Sequence, residues 1–325
     1  MKSKKITVGS MFAGIGGICL GFKQAGFDIV WANEKDAAAC KTYRHNFGGT
    51  YLVEGDIKIL DKTKIPKFDI LTAGFPCQSF SVAGPHRGFN DARGNLFFQI
   101  VEVARIIDPA VIFLENVSNL IDHNNGRTFI TIFNALSEIG YILRYNNLPS
   151  NEYGNLPQTR NRTYIVAFKN ERICNMFNFP SPIELTTDIF DIIDKHTKQK
   201  DIYYYTNKND AFYKTMVNRV KRTDSIYRVH DSGIHIAKNR TCPTLTASMG
   251  TMHNRVPIII DDFGYRRLSI RECLDFQGFP KEYTFPNGTS IEQAYKQIGN
   301  SVCVPVVKRI AEQIRIVMEV CDDLQ

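Results

Sequence analysis

Phe68-Asp69-Ile70-Leu71-Thr72-Ala73 is a short apolar run that ends at Gly74-Phe75-Pro76-Cys77-Gln78-Ser79-Phe80-Ser81. A run of this length and composition reads as a buried strand. The glycine that opens the following segment and the proline inside it force the chain to turn where the strand stops. Loops at the carboxyl ends of strands in an open α/β sheet are where ligands bind, which gives Cys77 the position of a reactive group. The competing reading is a small buried thiol, because free cysteine is among the most buried residue types. This stretch alone does not choose between them.

The same pattern recurs along the first half of the chain. Ile6 to Phe12 reads as a strand, followed by Ala13-Gly14-Ile15-Gly16-Gly17 and a helical pattern through about Gly26. Glycines at such a turn let the backbone approach a ligand closely. This is not the dinucleotide fingerprint, since Cys19 occupies the third glycine position, and it is not a P-loop, since no Gly-Lys-Ser/Thr follows. The strand Asp28 to Asn33 ends at Glu34, where a carboxylate can accept hydrogen bonds from a ribose diol; a solvated carboxylate at a helix start is the alternative. Tyr51 to Glu54 then runs into Gly55-Asp56. Three such strand ends in succession suggest an adenosine-type cofactor across the sheet edge.

Beyond the Cys77 loop, residues 81–93 are rich in Gly, Asn, Asp and Arg and read as a lid. Residues 95–107 keep helical spacing, and Ala110-Val111-Ile112-Phe113-Leu114 is a fully apolar strand ending in Glu115-Asn116-Val117. That puts a carboxylate on the same sheet edge as Cys77, although a helix N-terminal carboxylate would read alike. A helix over about 126–138 leads to a strand over 141–148, then to Gln158-Thr159-Arg160-Asn161-Arg162 and a strand over 163–168. Two arginines alternating into a strand point to one face, able to meet an anion or a carbonyl; ordinary surface charge is the alternative.

A chain of 325 residues buries a large core as one large domain or two unequal ones. No run approaches the eighteen or so apolar residues of a membrane span. The basic start Met1-Lys2-Ser3-Lys4-Lys5 lacks the apolar stretch of a signal peptide, so a cytoplasmic protein is expected. Eight cysteines are scattered without a C-x-x-C pair, which argues against a metal site and a disulfide framework. The net charge of +7 favours a polyanionic partner. Much of that charge lies late in the chain: residues 201–260 hold nine Lys/Arg against four Asp/Glu, in the one segment without chemical motifs. Such a concentration favours phosphate contact over a merely solvated face.

With these pieces in order, the chain resembles a bacterial DNA cytosine-5 methyltransferase of the restriction-modification type. Residues 12–17 resemble that family's cofactor loop, Gly74-Phe75-Pro76-Cys77-Gln78 its nucleophile loop, and Glu115-Asn116-Val117 its Glu-Asn-Val triplet. Gln158 to Arg162 resembles its Gln-x-Arg-x-Arg block, Arg267 to Cys273 with Gln277 to Pro280 its penultimate block, and Gln297 to Val302 its last. Thr241 to Gly250 resembles the Thr-Leu element near the end of its recognition region.

The resemblance implies an α/β protein: a Rossmann-like S-adenosylmethionine-dependent methyltransferase domain with a smaller, irregular β-rich target-recognition domain. The expected division is 1–170 catalytic, 171–285 target recognition, and 286–325 returning to the catalytic domain. Cys77, Glu115, Arg160 and Arg162 are implied to be catalytic, with Cys77 the nucleophile, Glu115 the proton source at cytosine N3, Arg162 at O2 and Arg160 in support. Phe12, Gly14, Gly16, Glu34, Asp56, Leu96, Asn300 and Ser301 are implied to hold S-adenosylmethionine. The implied substrate is a cytosine flipped out of double-stranded DNA, the protein a monomer off the membrane, with a cognate restriction endonuclease encoded separately.

Three rival readings stand beside this one. An RNA cytosine methyltransferase would need little recognition region, and about ninety residues of basic sequence favour a duplex. A non-catalytic repressor is disfavoured by intact Cys77, Glu115 and Arg162, and a nicotinamide or flavin oxidoreductase by the missing third glycine.

Overall fold

The structure, a computed structural model, describes residues 5–75 and 96–322. Cys77 and segment 81–93 therefore lie outside the described residues. The chain forms two compact units: Met1–Leu148 with Asn161–Ser181 and Val304–Gln325, and Pro149–Arg160 with Pro182–Cys303. Residues 286–303, grouped by sequence with the returning C-terminal segment, fall in the second of these.

The larger unit is built on one sheet of seven strands: β1 Thr7–Met11, β2 Asp28–Glu34, β3 Tyr51–Glu54, β4 Ile70–Gly74, β5 Val111–Val117, β6 Ile142–Pro149 and β7 Asn161–Phe168. They lie in the order β3-β2-β1-β4-β5-β7-β6. The first five run parallel, and β7 runs antiparallel beside β5. Central β4 and β5 are covered on both faces, which is why their sequences are nearly unbroken apolar runs.

Alternation along β5 divides the core between the two faces. Ile112 and Leu114 join a buried cluster with Phe97, Ile100 and Val103 of helix α3 (Leu96–Ile107) and Ile132 and Leu136 of helix α4 (Arg127–Ser137). Phe113 instead meets Phe22 of helix α1 (Gly17–Gln24) edge-on, with centroids 5.2 Å apart. Helix α2 (Ala37–Asn46) follows β2, its first turn capped by the Asp36 side chain accepting from Ala38 and Ala39.

The C-terminal helix Val304–Asp322 closes on α1, with Val304, Val307, Ile310, Ile314 and Val317 all buried. Contact is close because Gly21 of α1 has no side chain: a Cβ there would lie 2.6 Å from Val307 Cγ1 and 3.0 Å from the Lys308 nitrogen.

The smaller unit has a four-stranded antiparallel sheet, β8 Tyr227–His230, β9 Gly233–Ile236, β10 Ile258–Asp261 and β11 Gly264–Arg267, in the order β11-β10-β8-β9. Tyr227, Val229, Ile234 and Ile258 pack on Met216 and Val220 at the helix Ala211–Arg219. Around it run short 3-10 turns and loops, which gives the irregular, β-rich character.

A fully buried Arg266 anchors this unit. Its Nε donates to Asp261 Oδ2 at 2.6 Å, and its two terminal nitrogens grip Glu272 at 2.8 Å each. Burial alone would lower its pKa, but the Glu272 and Asp261 carboxylates outweigh burial and hold the guanidinium above its usual range.

The α1 contact sets two effects against each other at Gly21. Alanine gains about 1 kcal/mol of helix propensity over glycine, but an extra methyl in a packed interior costs about 1–3 kcal/mol. Since the obstructing atoms include backbone, Gly21→Ala is expected to lower the unfolding midpoint in urea. A raised midpoint would show that the helices part without cost.

Candidate active site

Three strand ends in the larger unit are stitched together. The Ala13 amide donates to the Asn33 carbonyl at 3.0 Å, and the Gly55 amide to the Glu34 carbonyl at 2.9 Å. The buried Asn33 amide group then donates to the Val53 and Gly55 carbonyls, each at 3.0 Å. The Asn33 side chain thus ties the end of β2 to the turn that carries Asp56, while its backbone carbonyl holds the glycine loop after β1.

Glu34 is held on both oxygens. Oε2 accepts from the Gly14 amide at 2.8 Å, and Oε1 accepts from the Lys35 and Asp36 amides at 2.8 Å. A carboxylate has about four lone-pair sites, so a further donor is still accommodated. Asp56 Oδ1 accepts from the Lys58 amide at 3.1 Å, while Oδ2 sits 3.7 Å from Lys35 Nζ.

The loop itself is a cradle. Gly14 has φ +54, and a Cβ there would meet nothing within 4 Å. Phe12 has φ +53, a region that costs a non-glycine residue about 1–3 kcal/mol and that clusters at ligand clamps. Gly16 answers a different constraint: with φ +84, its missing Cβ would lie 2.3 Å from the Phe47 ring. Leu96 opens α3, partly buried on the core cluster.

The other half of the site lies where β5 meets β7. Because β7 is antiparallel, its beginning lies at the carboxyl edge of the parallel strands, with Val117 opposite Arg162 and Glu115 opposite Tyr164. Arg162 Nε approaches Glu115 Oε1 to 3.2 Å, both side chains largely buried. That separation makes an ion pair, but the N–H does not point at the oxygen. Glu115 Oε1 is therefore buried without a hydrogen bond among the described residues. Glu115 also faces Gly74 at the end of β4, where a Cβ would lie 3.5 Å from Oε2.

Asn116 links β5 to the segment that follows β4. Its buried amide group donates to the Phe75 carbonyl at 2.8 Å, and its Oδ1 accepts from the Val117 amide at 2.8 Å. This role and that of Asn33 were absent from the sequence reading. Cys77 itself, two residues past Phe75, lies outside the described residues.

Arg160 does not join Arg162. Its guanidinium is buried in the smaller unit, donating to the Leu245 carbonyl at 2.9 Å and to the Ser301 carbonyl. Gln158 works with it, giving a hydrogen bond to the Phe276 carbonyl at 2.7 Å. Close packing joins the same segments: a Cβ on Gly299 would lie 2.1 Å from the Thr246 carbonyl carbon. Asn300 caps the helix Ile291–Gly299 in this unit, and the adjoining Ser301 is buried.

The described cysteines Cys19, Cys40, Cys174, Cys242, Cys273 and Cys303 are all buried. Burial pushes the thiols of Cys19, Cys174, Cys242 and Cys273 up, and that of Cys40, with Glu54 and Glu34 nearby, to about 12. None of these five is a ready thiolate at neutral pH. Among the described residues no cluster of His, Cys, Asp or Glu is fit to hold a metal ion, and no helix is long and apolar enough to cross a membrane.

This sheet, with its glycine cradle and acidic strand ends, is the framework of a Rossmann-like methyltransferase. Solved structures share the fold: a triple mutant of Spodoptera frugiperda DNMT2 superposes with a TM-score of 0.73 at 21% identity, covering 97% of this chain and 100% of that one. A putative DNA modification methyltransferase from an E. coli prophage gives 0.69 at 20% identity, covering 97% and 100%. Residues 6–315 match the family model of C-5 cytosine-specific DNA methylases, and the chain belongs to that family. It is 44% identical over 311 residues to the Type II methyltransferase M.Bsp6I of Bacillus sp. (strain RFL6), covering 95% of this chain and 98% of that protein. It is 36% identical to M.HhaI of Haemophilus parahaemolyticus, with coverage of 94% and 92%. The protein is thus a DNA cytosine-5 methyltransferase of the restriction-modification type.

The Asn116 link generates a test. Asn116→Leu leaves the Phe75 carbonyl without its donor, a loss of about 1–3 kcal/mol for a buried group. Methyl-transfer turnover is expected to fall at least about tenfold, with the protein still folded by circular dichroism. Unchanged turnover would mean that this carbonyl does not position the reactive loop.

Proposed function

We propose that the protein moves the methyl group of S-adenosylmethionine to carbon 5 of a cytosine flipped out of a specific double-stranded DNA sequence, through a covalent adduct with Cys77. In this reading it is a monomer and the modification half of a restriction-modification system, with the cognate endonuclease encoded separately. The observation that carries the reading is the buried Glu115–Arg162 pair, whose Glu115 oxygen has hydrogen-bonding capacity unspent.

The residues fit the cofactor. Gly14 leaves open space where a side chain would stand, Glu34 has a lone-pair site to spare for a ribose hydroxyl, and Asp56 stands at the next strand end for the adenine amino group. Phe12 and Leu96 add apolar surface. Bound there, S-adenosylmethionine supplies an electrophilic methyl group on a sulfonium.

Cytosine carbon 5 is a poor nucleophile, because reaction there breaks aromaticity without stabilising the product. Addition of the Cys77 thiolate to carbon 6 makes the ring an enamine, nucleophilic at carbon 5. Glu115, protonated or sharing a proton, gives a hydrogen bond and then the proton to N3 as the ring gains electron density, a role typically worth about 10²- to 10⁴-fold. Arg162 holds the cytosine O2 and steadies the charge that develops there. Loss of the carbon 5 proton to water then lets Cys77 leave as the thiolate, and N3 returns its proton to Glu115. Within a stacked duplex the carbon 6 face is covered, so the base must come out first. Burial of the thiols characterised above favours Cys77 as the nucleophile. Arg160, engaged by two carbonyls, supports the smaller unit instead of touching the base.

The test uses methyl-labelled S-adenosylmethionine with duplex DNA and, separately, transfer RNA. Label is expected in DNA, as 5-methylcytosine after digestion to nucleosides. Label in RNA alone, or at the exocyclic nitrogen of cytosine, would overturn the reading.

A further inference from the structure

The β8–β9 hairpin of the smaller unit presents a built, uncommitted guanidinium. Strands Tyr227–His230 and Gly233–Ile236 pair antiparallel around the two-residue turn Asp231-Ser232, with Gly233 at φ +118. Alternation sorts the ribbon into two faces. Val229 and Ile234, paired across the strands, point into the apolar cluster of the unit. Arg228 and His235 are likewise paired, and both are exposed on the other face.

The turn is braced. Arg255 donates to the Val229 carbonyl at 3.5 Å and forms an ion pair with Asp231. Ser232 Oγ lies 3.1 Å from His235 Nε2, which steadies the imidazole. Arg222 is spent on Asp224 at 2.7 Å and Arg240 on Asp188 at 2.9 Å. Arg228 makes no ion pair or side-chain hydrogen bond among the described residues.

We propose that Arg228, on the outer face of the β8–β9 ribbon, reads a guanine in the major groove of the target duplex, with His235 beside it contacting the adjoining base pair. A two-stranded ribbon fits that groove, and the arginine fork matches guanine O6 and N7 as the commonest base-specific contact. A braced hairpin meets the base with little ordering cost. This inference rests on the proposed action on duplex DNA and adds which residue sets specificity.

The experiment methylates a pool of duplexes randomised around a cytosine and maps the modified sites by bisulfite sequencing. The wild-type protein is expected to select at least one guanine. Arg228→Ala is expected to lose discrimination at that guanine alone, on the order of 10- to 100-fold, with other positions unchanged. Replacing that guanine by 7-deazaguanine, which removes N7, is expected to slow the wild type and leave Arg228→Ala unaffected. The wild-type arm needs no variant to fold, and indifference of the wild type to 7-deazaguanine at every selected guanine would overturn the proposal. So would uniform slowing of Arg228→Ala on all sequences with a salt slope shallower by about 1, the mark of a phosphate contact. Absence of methylation on any duplex by the wild type would instead overturn the underlying reading, and this assignment with it.

Discussion

The site depends on one pairing, that of β5 with an antiparallel β7. Parallel strands deliver their carboxyl ends to one edge of a sheet, and with them Glu34, Gly55 and Glu115. A cation from a following parallel strand would come from that strand's end. Reversing β7 brings its beginning to the same edge, so Arg162 lies opposite Val117 and reaches Glu115. A buried carboxylate without a partner would pay a large desolvation cost, and an arginine at about 3 Å repays much of it. Because the pair falls short of a full hydrogen bond, it leaves an oxygen able to serve a ligand.

Amide side chains do the remaining positioning. Asn33 ties the end of β2 to that of β3 through the Val53 and Gly55 carbonyls, and Asn116 ties the Phe75 carbonyl to β5. In the smaller unit Gln158, Arg160 and Arg266 play the same part among segments far apart in the chain. Buried polar groups of this kind add little net stability. They penalise alternative packings instead, since any shift leaves a donor unpaired in the interior.

Much of this was legible in the sequence. The strands of the sheet and helices α1, α3 and α4 lie within about three residues of their apolar patterns, and the strand ends carry the expected glycines and acids. Arg160 was misplaced for a definite reason. The two-residue alternation that puts side chains on one face holds only inside a strand, and β7 begins at Asn161. Arg160 therefore precedes the strand and turns into the smaller unit. The count of basic residues over 201–260 was also silent about pairing: Arg222, Arg240 and Arg255 are neutralised by carboxylates, one of them, Asp188, outside the segment counted. Asn33 and Asn116 went unread because an amide carries no periodicity and no charge; its function lies wholly in the carbonyl it reaches.

The central claim is that Glu115 and Arg162 support addition of Cys77 to a cytosine ring, and trapping measures it most directly. Duplex DNA carrying 5-fluorocytosine at the target allows methyl transfer but blocks elimination, because fluorine cannot leave as a proton does. The expected product is a complex that survives denaturing electrophoresis and requires S-adenosylmethionine. Cys77→Ser should give none while still binding DNA, and Glu115→Gln should form it about 10²- to 10⁴-fold more slowly. A full yield of adduct from Cys77→Ser, or an undiminished rate from Glu115→Gln, would contradict the account.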